Sequence, residues 1–161
     1  MRELLVAFAV TLINLAPAEA TTVAWDGEHL AADSQSTAGD LKWFDCDKIK
    51  RVNDAWIGNA GLVWKSRLFC KWYEKQEGPP PDMEECSAIV VTGQKCMYYH
   101  GNNKPVRKHP PFAIGTGSEF AMGAMVAGCD ARDAAAIASQ LDENTGGKIV
   151  CVDTCAAESE E

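Results

Sequence analysis

Asp26-Gly27 sits between two strand-like runs, residues 22–25 and 28–34. An Asp-Gly pair in that setting is a strong hairpin signal, because its residues tolerate the positive φ angles of a tight, twist-matched turn. Thr22 to Trp25 and Glu28 to Ser34 are therefore expected to be paired strands. The start of the body is thereby committed to an antiparallel sheet.

Just upstream, residues 1–20 read MRELLVAFAVTLINLAPAEA, an apolar leader with one early Arg. Ala18-Glu19-Ala20 matches the small-x-small pattern of a secretory cleavage site. The apolar run is too short for a membrane span. Three readings stay open: an export signal, a self-removed propeptide, or a start codon placed upstream of the true one. The first implies a periplasmic or secreted protein, the other two a cytoplasmic one. In each case release of the Ala20–Thr21 bond makes Thr21 a chain terminus. It then carries a hydroxyl nucleophile and a free α-amine that can act as its base.

Downstream, Ile49 to Val52 and Ala55 to Ile57 form a second expected strand pair around Asn53-Asp54. Gly58-Asn-Ala-Gly61 reads as a tight segment leading into a helix over residues 62–75, where Leu62, Trp64, Leu68 and Trp72 follow a helical period. Gly78 and the prolines at 79–81 stop that helix. Strands are expected at Ser87 to Thr92, Cys96 to Tyr99 and Phe112 to Ile114. Helices are expected at Glu119 to Ala127 and at Ala131 to Leu141, the latter capped by Asp130. A last strand runs from Lys148 to Asp153. This order implies an α+β protein with mainly antiparallel sheets and segregated helices. The domain spans 21–155, and an acidic tail covers 156–161.

A length of 161 residues with 47% hydrophobic and 24% charged residues suits one globular domain. The formal net charge is −8; the leader, with one Arg against two Glu, accounts for −1 of it. An acidic body argues against nucleic acid as the main partner. The basic clusters Lys48-Ile-Lys50-Arg51 and Lys104 to Lys108 are short and separated, as in a solvated surface. The seven cysteines include no Cys-x-x-Cys pair, and none of the three histidines lies at metal-ligand spacing from them. No metal and no cofactor is expected.

Candidate chemical groups stand at Thr21, Asp33, Lys48, Gly61, the Gly115–Ser118 loop, and Asp142 with Thr145. Each has a plain alternative reading. A single Lys beside a strand is ordinarily a solvated charge. Asp-x-x-Thr before Gly-Gly is ordinarily a helix end, and Gly-Thr-Gly-Ser ordinarily a helix start that can also bind an anion. Taken in order, however, they resemble the proteasome β-subunit and HslV peptidase family of N-terminal nucleophile hydrolases. The resemblance is carried by AADSQSTAG at 31–39, DKIKR at 47–51, GNAG at 58–61, FAIGTGSEFAMGAM at 112–125 and DENTGG at 142–147. Thr116 and Thr145 stand where the family usually has Ser. The first hairpin arm is shorter than the family's, and the family's second central helix has no counterpart, as in compact bacterial and phage versions.

The resemblance implies a four-layer αββα sandwich of two mainly antiparallel sheets, with a shortened central helix layer. It implies a threonine peptidase with Thr21 as nucleophile and Asp33 and Lys48 beside it. Gly61 would supply the oxyanion amide, and Thr116, Asp142 and Thr145 would orient the amine and a water. Ser36, Thr37, Asn59 and Val63 would line the first substrate pocket. A peptide or unfolded-protein substrate, a ring-shaped homo-oligomer and a separate ATPase unfoldase come with the family. Two other readings are open: an amidase acting on small non-peptide amides, and a non-catalytic structural or assembly subunit.

Overall fold

The computed structural model describes residues 21–156; the leader and all but the first residue of the acidic tail lie outside the described residues. The chain opens with β1 (Val23–Trp25) and β2 (His29–Ala32), joined through Asp26 and Gly27. The Asp26 carboxylate accepts hydrogen bonds from the N–H groups of Glu28 and His29, which fixes the turn, and from Ala131 N–H at 2.8 Å. Next come β3 (Ser36–Ala38), β4 (Leu41–Trp43), β5 (Ile49–Val52), β6 (Ala55–Gly61) and α1 (Val63–Lys75). Four strands follow: β7 (Met83–Thr92), β8 (Lys95–Gly101), β9 (Val106–Lys108) and β10 (Phe112–Ile114). The chain closes with α2 (Ser118–Val126), α3 (Ala131–Leu141) and β11 (Val150–Asp153).

These strands form a four-stranded sheet, order β10-β1-β2-β11, and a five-stranded sheet, order β5-β6-β7-β8-β9. A small β3-β4 ribbon stands apart. Every strand pairing among the described residues is antiparallel.

Side chains of a strand alternate between faces, and that period sorts the apolar residues into three cores. Val23, Trp25, Leu30 and Ala32 point from the first sheet toward Ala60, Ile89, Val91 and Cys96 of the second. The opposite face of the first sheet presents Ala24 and Ala31 to α2 and α3. That layer is nearly all alanine, including Ala121, Ala131, Ala134, Ala135 and Ala138, so the helices approach the sheet closely. The other face of the second sheet offers Ile57, Ala88 and Val90 to α1, whose Phe69 is fully buried among them. Burying such a ring contributes about 2–3 kcal/mol.

The structure differs from the sequence reading in places. Residues 58–61 are not a tight segment before a helix; they continue β6 and pair with β7 up to Gly61↔Cys86. Glycine at position 58 is required by packing, since a Cβ there would run into Val23 Cγ1. Strand β7 starts at Met83, four residues before Ser87, and carries an irregularity between Met83 and Ser87 where Glu85 adopts φ 59°. The β3-β4 ribbon and β9 lie where the sequence reading assigns no strand. The Asp130 cap is present, its carboxylate accepting from Asp133 N–H at 2.8 Å.

Candidate active site

Strand β1 lies between β10 and β2, so the chain enters the first sheet at a central position. Thr21 and Thr22, immediately before it, are buried with exposures of 1% and 0%. The Thr21 carbonyl is approached by Gly117 N–H at 3.3 Å. That approach depends on Gly115, which adopts φ 93° and whose Cβ would collide with the Thr21 carbonyl.

Asp33 follows directly on β2 and is the hub of the site. Its Oδ1 accepts from the Thr21 hydroxyl, the Thr22 N–H and the Lys48 ammonium, each at 2.8 Å. Its Oδ2 accepts from the N–H groups of Gln35 and Gly146, at 3.1 and 3.0 Å. The Asp33 side chain has no solvent exposure and Lys48 only 7%. Burial pulls the Lys48 ammonium below its ordinary pKa, with the Asp33 carboxylate opposing that effect. Lys48 is held from its backbone as well, its carbonyl accepting from Asn59 N–H at 2.9 Å.

A second polar group lies on the nitrogen side of Thr21. Thr116 Oγ1 is 3.4 Å from Thr21 N and 2.5 Å from Asp142 Oδ2. The single hydroxyl proton of Thr116 goes to the nearer carboxylate, which leaves an oxygen lone pair facing the Thr21 nitrogen. Thr145 likewise donates to Asp142 Oδ2 at 2.6 Å, so Thr22 is the donor in its 2.8 Å contact with Thr145. Burial alone would raise the Asp142 carboxyl. Hydrogen bonds from Thr116, Thr145 and Asn144 outweigh it and hold Asp142 below its ordinary range.

Beside Thr21 opens a pocket of about 420 Å³, walled by residues of the β2–β3 segment, the β4–β5 connection, β6 and α1. Gly61 reaches it with φ 103°, pressed so closely on β7 that a Cβ would meet the Glu85 carbonyl. Of the four residues assigned to a substrate pocket, Ser36, Asn59 and Val63 line this one. Thr37 does not; its hydroxyl instead accepts from Gln35 Nε2 at 3.3 Å. The structure adds Gln35, Trp43, Cys46, Ser66, Arg67 and Cys70 to the pocket wall. Ser66, Arg67 and Cys70 follow Val63 at helical spacing, so the predicted helix already contained the signal for them. Thr22 was also missed, although its position next to Thr21 pointed to it. Burial raises both wall thiols, Cys46 and Cys70, above their ordinary pKa. No disulfide joins any of the seven cysteines, and no cluster of His, Cys, Asp or Glu among the described residues is placed to hold a metal.

No family model and no curated protein matches this chain. Solved structures do share its fold. Eukaryotic HslV from Trypanosoma brucei superposes with a TM-score of 0.64 at 19% identity, covering 83% of this chain and 98% of that one. The Thiobacillus denitrificans protein BPH gives 0.63 at 21% identity, covering 82% and 96%. The same protein in complex with epoxomicin gives 0.62 at 17% identity, over the same shares. The chain therefore has the fold of HslV. The ordered motifs at 31–39, 47–51, 58–61, 112–125 and 142–147 agree with that likeness.

Proposed function

We propose that this chain is a threonine peptidase of the proteasome β-subunit and HslV type, built as a four-layer αββα sandwich with one helix in its shortened layer. Thr21 becomes the nucleophile once residues 1–20 are removed. The observation that carries this reading is the shared Asp33 Oδ1, 2.8 Å from both the Thr21 hydroxyl and the Lys48 ammonium. The three packed cores support the layer order α2/α3, first sheet, second sheet, α1. The epoxomicin complex of the Thiobacillus neighbour supports a ligand-binding site on this fold.

In this mechanism Thr21 Oγ1 attacks a peptide carbonyl in the adjoining pocket. The freed α-amine, with an ordinary pKa of about 8, takes the hydroxyl proton. Lys48 places a positive charge near the nucleophile, which favours the neutral amine and the developing alkoxide. The Gly61 N–H donates to the tetrahedral oxyanion. The proton passes from the amine to the leaving nitrogen, and an ester to Thr21 remains. Water then attacks that ester, with the amine again as base and the Thr21 oxygen as leaving group. The lone pair of Thr116, itself fixed by Asp142 and Thr145, orients the amine. Ring assembly and a separate ATPase unfoldase belong to the same reading. Trp43 and Phe44 beside the pocket, with Trp64 and Leu68 on α1, are exposed apolar surface that subunit contacts would cover.

Thr21→Ala is expected to lower peptide hydrolysis at least about a thousandfold while leaving the circular dichroism spectrum unchanged. Intact mass of the unaltered protein should show a chain starting at Thr21. Undiminished hydrolysis by the variant would refute the assignment.

A further inference from the structure

The basic cluster at 48–51 is only partly used by the site described above. Lys48 is spent on Asp33, but Lys50 is exposed. Ile49 packs between the two sheets, whereas Val52 packs toward α1, so Lys50 stands on the α1 side of β5. On α1, Arg67 and Lys71 are four residues apart and share a face. The three cations meet in a groove of about 400 Å³ between β5 and α1, with Glu74 the carboxylate in its wall. Arg51 borders the groove, its guanidinium over the Trp56 ring at 5.4 Å. The groove is continuous with the pocket beside Thr21, because Lys50, Arg67 and Cys70 line both. The acidic residues of that pocket, Asp45 and Asp47, belong to the β4–β5 connection and do not line the groove. The groove end of this cleft therefore carries Lys50, Arg51, Arg67 and Lys71 against the single carboxylate of Glu74. In a protein of formal charge −8, a local excess of cations leading from the catalytic pocket is a specific feature.

We propose that the cleft selects acidic peptide segments, with substrate carboxylates seated among Lys50, Arg67 and Lys71. This inference rests on the peptidase reading for its consequence in catalysis, but not for the binding itself. Long, exposed cations each contribute modestly, and several converging on one chain add. Thr21→Ala protein in its full chain separates the two claims, because it binds without turnover. The probes are a fluorescein-labelled hexapeptide alternating Ala and Glu, and its twin with Gln for Glu, followed by fluorescence anisotropy. At low ionic strength the Glu peptide is expected to bind about tenfold more tightly. The advantage should shrink as salt is raised. It should fall to about twofold or less when Lys50→Gln, Arg67→Gln and Lys71→Gln are added together. These exposed positions leave the folded spectrum intact.

Equal affinity for the two peptides would overturn the proposal, as would an advantage that survives the triple substitution. Stronger displacement by a single-stranded oligonucleotide than by the Glu peptide would overturn the assignment to peptides. In the unaltered protein the Glu peptide should show a lower KM than the Gln peptide at similar kcat. If neither is cleaved, the peptidase reading fails, and the anisotropy still decides the cleft.

Discussion

Asp33→Asn should cost far more than an isosteric change ordinarily does. The carboxylate accepts hydrogen bonds from five groups with no exposure to solvent. Asparagine retains one acceptor oxygen and replaces the other with an NH₂ group. In its better orientation the oxygen keeps the three donors now at Oδ1. The NH₂ then faces the N–H groups of Gln35 and Gly146; Gln35 N–H keeps its bond to the Gly146 carbonyl at 3.0 Å, whereas Gly146 N–H loses its acceptor. Each buried donor left unpaired costs about 1–3 kcal/mol. The Lys48 ammonium also loses its counter-charge, a loss of about 3–5 kcal/mol for an intact buried charge. Lys48 already lies below its ordinary pKa and can shed its proton, which limits this second cost. A total of about 4 kcal/mol remains, against a stability of about 5–15 kcal/mol for a domain. In a domain of this size that lowers the melting temperature by about 12–20 °C. Thermal unfolding followed by circular dichroism measures it. A melting temperature within about 4 °C of the parent would refute the claim that this carboxylate organises the site.

Other outcomes follow from the same geometry. Asp142→Asn should be milder, about 1–2 kcal/mol, because its main donors are the hydroxyls of Thr116 and Thr145, which can rotate to new partners. The folded-state pKa of Asp142 is lowered, so its stabilising contribution is full above the ordinary value of 3.8 and is lost as pH falls through the folded value. Acid titration of stability should therefore be shallower in Asp142→Asn than in the parent. Cys96 behaves in the opposite sense. Burial pushes its thiol from 9.0 up to about 12, so its contribution is full below pH 9 and is lost as pH rises toward 12. Cys96→Ala should flatten the alkaline fall in denaturant midpoint, and an unchanged slope would refute this. Gly61→Ala should cost at least about 2 kcal/mol in urea denaturation, from its positive φ and the Glu85 carbonyl in its way.

Much of this arrangement was legible because it rests on local signals. The β1-β2 hairpin announces itself through Asp26-Gly27, and α3 through Asp130 and its alanine-rich face. The hub residues stand in short motifs whose order agrees with the fold. What escaped the sequence obeys non-local rules. Residues 58–61 were not read as a strand because glycine weakens strand propensity; position 58 is glycine only because Val23 of the other sheet needs the space. The β3-β4 ribbon shows no buried face, so its residues carry no alternation to detect. The start of β7 is hidden by the irregularity at Glu85. Thr37 looked equivalent to Ser36, yet only Ser36 of this adjacent pair lines the pocket.

Segments at the margin of a folded domain are ordinarily where it frays first. Here residue 21 precedes a strand flanked on both sides, and its own hydroxyl is tied to a carboxylate in the interior. The amides of Val23 and Ala24 should consequently exchange with deuterium only when the whole domain opens, as fully protected core amides do. Heating such a protein offers no stage at which Thr21 loosens while the remainder holds. On the peptidase reading proposed above, loss of activity with temperature should trace the same curve as global melting.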